Sequence, residues 1–160
     1  MKTIMKWVGV IMLMGSTFAA FSQVEPVGKD HVAIGGYDVV AYFKDGKAVK
    51  GSADIQATYN TVIYYFSTAR NREEFLKQPL GYLPQYDGYC ALAVGAQNKK
   101  VSINPETFKV TDGKLYLFYN GKLPFSGAQF NSLEPWNKDE TGLIKKADAN
   151  WPALKASRRR

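Results

Sequence analysis

Beyond residue 22 the chain has no methionine, one cysteine (Cys90) and one histidine (His31), because Met1, Met5, Met12 and Met14 all fall in the N-terminal apolar stretch. Most enzyme classes need more proton-shuttle and soft-ligand chemistry than this. One thiol cannot close an intramolecular bridge, so stability must come from packing. A closed four-ligand zinc site cannot be built from Cys and His alone. Phosphate-cradling glycine motifs are missing too, since Gly35-Gly36 runs into Tyr37-Asp38 without the Lys-Ser/Thr or third glycine such loops need. A nucleophile–base arrangement would have to recruit His31 for Cys90 or a serine, and nothing in their spacing supports it. There is no internal repeat, low-complexity tract or domain linker.

The N-terminus reads as a secretory signal peptide. Lys2 and Lys6 supply the charged start, Trp7 to Phe21 the apolar run, and Ala20 and Ser22 a small-residue cleavage pattern. The run is interrupted by Gly15, Ser16 and Thr17, and it is shorter than the roughly 20 apolar residues that span a bilayer. No cysteine follows it as an acylation site. The expectation is a leader over residues 1–22, a domain over 23–152 and a basic tail over 153–160, with a periplasmic or secreted product that does not span the membrane after cleavage. Losing the two leader lysines takes the formal charge from +7 to +5. The cations are scattered, the terminal Arg158-Arg159-Arg160 reads as a solvated end, and nucleic acid is not expected as a partner.

Aromatic residues are plentiful, with Trp 3, Tyr 10 and Phe 9, and only Trp7, Phe18 and Phe21 are lost with the leader. Each of the rest can bury roughly 150–250 Å². Val32 to Gly36 reads as a short strand ending in a glycine turn, and Asp38 as the N-cap of a short buried helix over Val39 to Phe43. Ile55 to Tyr59 and Val62 to Phe66 read as a hairpin across Asn60-Thr61. Ser67 or Thr68 caps an amphipathic helix from Ala69 to Lys77, which Pro79 ends.

Tyr89 to Val94 suits a tightly packed helix that Gly95 weakens, and Val101 to Ile103 a short strand. The strongest local signal is Asp112-Gly113, which sets Phe108 and Val110 against Leu117 and Leu115. Asn120 to Pro135 reads as a long surface loop or a helix with a broken start. Thr141 opens an amphipathic helix carrying Leu143, Ile144, Ala147 and Trp151 on one face, which Pro152 ends. The expected fold is α+β, a small single domain with short antiparallel hairpins packed against several helices.

Five blocks stand in order along the mature chain: Gly36-Tyr37-Asp38-Val39-Val40-Ala41-Tyr42-Phe43, Val49-Lys50-Gly51-Ser52, Tyr64-Tyr65-Phe66-Ser67, Pro84-Gln85-Tyr86-Asp87-Gly88-Tyr89-Cys90-Ala91 and Lys146-Ala147-Asp148-Ala149-Asn150-Trp151-Pro152. In this order they resemble the exported, single-domain branch of the YHS-domain family. The resemblance implies a compact α+β domain related to small metal-binding modules that accompany heavy-metal and copper transport; it implies no known activity. The metal-binding branch carries several cysteines, whereas this chain has one.

Cys90 is the residue to suspect, since a thiolate binds Cu(I) or Zn(II) and can act as a nucleophile. The competing reading is a small buried hydrophobe. His31 is the candidate second ligand, against a plain surface histidine. Tyr37, Asp38, Tyr42, Tyr65, Tyr86 and Tyr89 are the candidate ligand-binding residues: the tyrosines would line one pocket, against core residues with hydroxyls reaching the surface, and Asp38 has the helix cap as its simpler role. The leading reading is an exported YHS-like binding module without catalytic residues, handling copper or zinc. The alternatives are a small-ligand or protein-interaction domain with a tyrosine-lined surface, and then a thiol-dependent enzyme.

Overall fold

The computed structural model describes residues 30–157; the leader expected over residues 1–22 and the last three arginines of the expected tail lie outside them. The described chain is α+β, with two-stranded antiparallel sheets and helices packed on them. Among the described residues no helix is long and apolar enough to cross a membrane.

Two hairpins form where the two-residue turns predicted them. Strands β1 (Ser52–Tyr59) and β2 (Val62–Phe66) pair with Tyr59 opposite Val62. Strands β3 (Asn104–Thr111) and β4 (Lys114–Phe118) pair with Phe108 opposite Leu117 and Val110 opposite Leu115. Both connections hold positive φ at their two central residues: 49° and 67° at Asn60 and Thr61, 50° and 68° at Asp112 and Gly113. That geometry matches the right-handed twist of the strands.

Helix α1 (Ala41–Lys44) starts later than the sequence suggests, and the Asp38 carboxylate caps the turn ahead of it by accepting from the backbone N–H of Val40 and Ala41. Helix α2 (Ala69–Lys77) has the expected limits, with Thr68 Oγ1 accepting from the Asn71 N–H at 3.1 Å.

Elsewhere tertiary contacts override the local reading. Val32 to Gly36 is not a strand. A single bridge from Val32 to Ile63 gives way to a tight turn in which Ile34, Gly35 and Gly36 all take positive φ, which no strand allows. Val101 to Ile103 is not a strand either, because the Val101 carbonyl is taken by the Cys90 N–H at 3.0 Å. The segment from Asn120 is a third hairpin, β5 (Asn120–Lys122) with β6 (Gln129–Asn131), followed by α3 (Leu133–Lys138).

The last helix, α4 (Glu140–Ala156), is capped by Asp139, whose carboxylate accepts from the Gly142 N–H, and it runs through Pro152 instead of ending there. A helix packed along its length can absorb the loss of one N–H that would end an isolated one.

Strand β4 organises the interior. Leu115 and Leu117 face one core with Phe66, Phe75 and Val40, while Tyr116 and Phe118 face a second core with Trp136, Leu143 and Ala147. Side chains alternate along a strand, so a strand buried on both faces divides one interior into two. Trp136 lies 5.4 Å from Tyr116 and 5.3 Å from Phe118, ring centre to ring centre. The second core is closed by α4 against a π-helical segment, Ala93–Gln97. Gly95 sits at that contact: a Cβ there would lie 2.7 Å from the Leu143 carbonyl oxygen. The glycine thus permits the close approach, and the helical winding continues through it. Asn150 Nδ2 donates to the Val94 carbonyl at 2.8 Å, so α4 satisfies a carbonyl of the π-helical turn.

Candidate functional site

The six candidate ligand-binding residues do not share one pocket. Tyr42 is buried in the first core and its hydroxyl donates to the Pro105 carbonyl at 2.8 Å; burial above all holds its pKa above the ordinary tyrosine value. Tyr37 packs at the edge of that core, its hydroxyl donating to Glu106 at 3.0 Å, and Lys50 sits over its ring. Tyr65 is half-buried against Gly36.

Asp38 is completely buried. Its Oδ1 accepts from the N–H groups of Val40 and Ala41, and its Oδ2 from the Ser67 N–H, the Ser67 hydroxyl and Asn71 Nδ2 at 2.7–2.8 Å. A carboxylate so engaged ties three segments together.

Tyr86 and Tyr89 belong to the second core, beside Trp151. The Tyr86 hydroxyl donates to Asp148 at 2.9 Å, and burial first, then that bond, raise its pKa. The tyrosines are split because the strand order of the hairpins puts β4 between them.

Cys90 and His31 are not brought together. His31 lies against the first hairpin, where its backbone carbonyl accepts from the Ile63 N–H, and Cys90 is in the second core. Among the described residues no group of three or more His, Cys, Asp or Glu side chains converges as a metal site. The donor set therefore does not fit a closed copper or zinc centre.

Cys90 nevertheless has a distinctive position. It is 1 % exposed, and it forms part of the inner wall of a cleft of about 470 Å³ between the π-helical segment and the β5–β6 hairpin. The apolar walls come from Leu92 and Ala93 on one side, Val101 on the connecting segment, and Leu123, Phe125 and Phe130 on the hairpin. The volume lies in the range of roughly 300–1,000 Å³ usual for small-molecule pockets.

Cys90 Sγ is 3.3 Å from the Ser132 hydroxyl oxygen, and that hydroxyl donates to the Tyr119 carbonyl at 2.9 Å. Ser132 has one proton to give and gives it to Tyr119. The thiol is then the donor to Ser132, so both groups have a hydrogen-bond partner at the inner end of the cleft. Among the described residues neither a carboxylate nor an imidazole lines the cleft beside Cys90.

The chain matches no family model, no curated protein and no solved structure. The site must be judged on its chemistry. An apolar cavity with a few polar groups at fixed positions is the usual form of a small-molecule site.

The hairpin half of this cleft escapes reasoning from sequence, which reads Asn120 to Pro135 as a long surface loop or a helix with a broken start. One signal was available: Leu123, Pro124 and Phe125 form an apolar trio in a polar stretch, and Phe125 is fully exposed at the rim.

Proposed function

We propose that this chain is an exported binding module whose cleft beside Cys90 takes a small, mainly apolar molecule. The observation that carries this reading is the cavity itself: apolar walls over most of its lining, and a polar inner pair, Cys90 and Ser132, whose hydrogen bonds are already satisfied. Burial of apolar ligand surface supplies the affinity, at about 25 cal/mol per Å² before the costs of association. The motif blocks that resemble YHS-domain proteins, and the N-terminal leader pattern, support a binding role outside the cytoplasm. The copper reading loses support because, among the described residues, no second soft donor stands beside the thiol.

Titration with Nile red, a neutral apolar dye, tests the proposal. One dye should bind per chain, Cys90→Ser should leave that binding within about twofold, and Ser102→Trp, at an exposed lining position, should fill the cleft and abolish it. Equal dye binding by Ser102→Trp, with its circular dichroism unchanged, would place the dye elsewhere and defeat the reading. An anaerobic Cu(I) titration completes the test. Stoichiometric metal binding that Cys90→Ser removes would restore the copper reading in its place.

A further inference from the structure

Resting on that reading of the cleft, we infer that its ligand is a single-headed anionic amphiphile, with a carboxylate at the mouth beside Lys99 and an aliphatic body running inward to Cys90. Among the described residues Lys99 is the one charged residue that lines the cavity, and no Asp or Glu lines it. Lys99 is exposed, and among the described residues it makes no ion pair. Its backbone is held in place, since its N–H donates to the Ala93 carbonyl at 3.2 Å where Asn98 ends the π-helical segment in a left-handed conformation. A cation without an ion pair among the described residues, carried on a held backbone at the entrance of an apolar cavity, favours an anion over another cation.

The inner end sets the orientation. Cys90 and Ser132 are both about 1 % exposed and are engaged in one chain of hydrogen bonds that ends at the Tyr119 carbonyl. A polar head pushed to that end would lose its water and find no unmet partner, which is costly for a neutral group and far more so for a charged one. The head therefore stays at the mouth. The body meets Leu92, Val101 and Phe130 on the way in, with Leu123 and Phe125 at the hairpin rim.

Competition against bound Nile red by decanoate, decanol and decyltrimethylammonium, each below its micellar concentration, separates the head groups at constant chain length. Decanoate should compete about two- to fivefold better than decanol, the size expected of one exposed charge pair, and the ammonium compound should compete worst. The preference should fade at high salt and disappear in Lys99→Gln. Decanoate should also slow alkylation of Cys90 by a small thiol reagent.

Equal competition by all three, or a carboxylate preference that survives in Lys99→Gln, would overturn the inference while leaving the cleft as an apolar site. If none of the three displaces a dye whose binding Ser102→Trp abolishes, the inference fails and the cleft remains an apolar site; if the dye itself does not bind, the inference fails together with the ligand-binding reading on which it rests.

Discussion

Replacing Asp38 by alanine should destabilise the fold by about 3–5 kcal/mol, because several buried donors would lose their acceptor at about 1–3 kcal/mol each. The carboxylate receives five hydrogen bonds from four residues: Val40, Ala41, Ser67 and Asn71. Asp38 is 0 % exposed, so water cannot take over these bonds without opening the packing around it.

The isosteric Asp38→Asn is the sharper test, because it keeps the shape and removes one acceptor. Whichever way the amide turns, its NH₂ faces donors: the two backbone N–H groups on one side, or the Ser67 and Asn71 donors on the other. The better choice points it at Ser67, whose hydroxyl can rotate to accept, yet the Ser67 N–H is then left without a partner. That predicts a loss of about 2–3 kcal/mol. Urea unfolding followed by tryptophan fluorescence measures it, and a thermal scan should show a drop of roughly 2–8 °C per kcal/mol. A Asp38→Asn protein within about 0.5 kcal/mol of the parent would refute the reasoning, since it would mean that the network is not the anchor its geometry implies.

Two further outcomes follow from the packing and the charges. Gly95→Ala should cost about 1–3 kcal/mol, because its Cβ would meet the Leu143 carbonyl oxygen at 2.7 Å and force α4 away from the π-helical segment; an unchanged urea midpoint would contradict that contact. Burial pushes the Glu140 carboxyl upward in pKa, but hydrogen bonds from Lys109, Thr111 and Trp136 outweigh it and hold the group below its ordinary value of 4.5. A lowered folded pKa means that its contribution is complete above the unfolded value and is lost as pH falls through the folded one. The stability difference between the parent and Glu140→Gln should therefore shrink between about pH 6 and pH 2, and a constant difference in urea midpoint across that window would show that the network carries no such linkage.

Legibility followed the range of the interactions. The two hairpins were readable because Asn60-Thr61 and Asp112-Gly113 are two-residue connections between β-rich runs, and a two-residue turn also sets the register. Helix α2 was readable to the residue because Thr68 and Pro79 mark its ends chemically. The Pro152 signal misled: α4 continues past it because packing against the second core outweighs one missing N–H. The Gly95 signal misled for the same reason, since its value lies in the neighbour it admits. At the site, the sequence draws attention to Cys90 but not to Phe130, Leu123 and Ser132, because they reach it only through a hairpin that the sequence disguises as a loop.

From the chain of letters alone came the α+β class, the turns that set two registers, the scarcity of ligating and proton-transferring groups, and the pattern of a leader; each depends on residues within a few positions of one another or on simple counts. Only the folded arrangement decided that β4 would be buried on both faces and part the tyrosines between two cores, that His31 would stay exposed beside the first hairpin while Cys90 is buried in the second core, and that a late hairpin would wall a cavity over the thiol. Those outcomes depend on which distant surfaces exclude water together, and burial of that kind acts through area and shape, without regard to distance along the sequence.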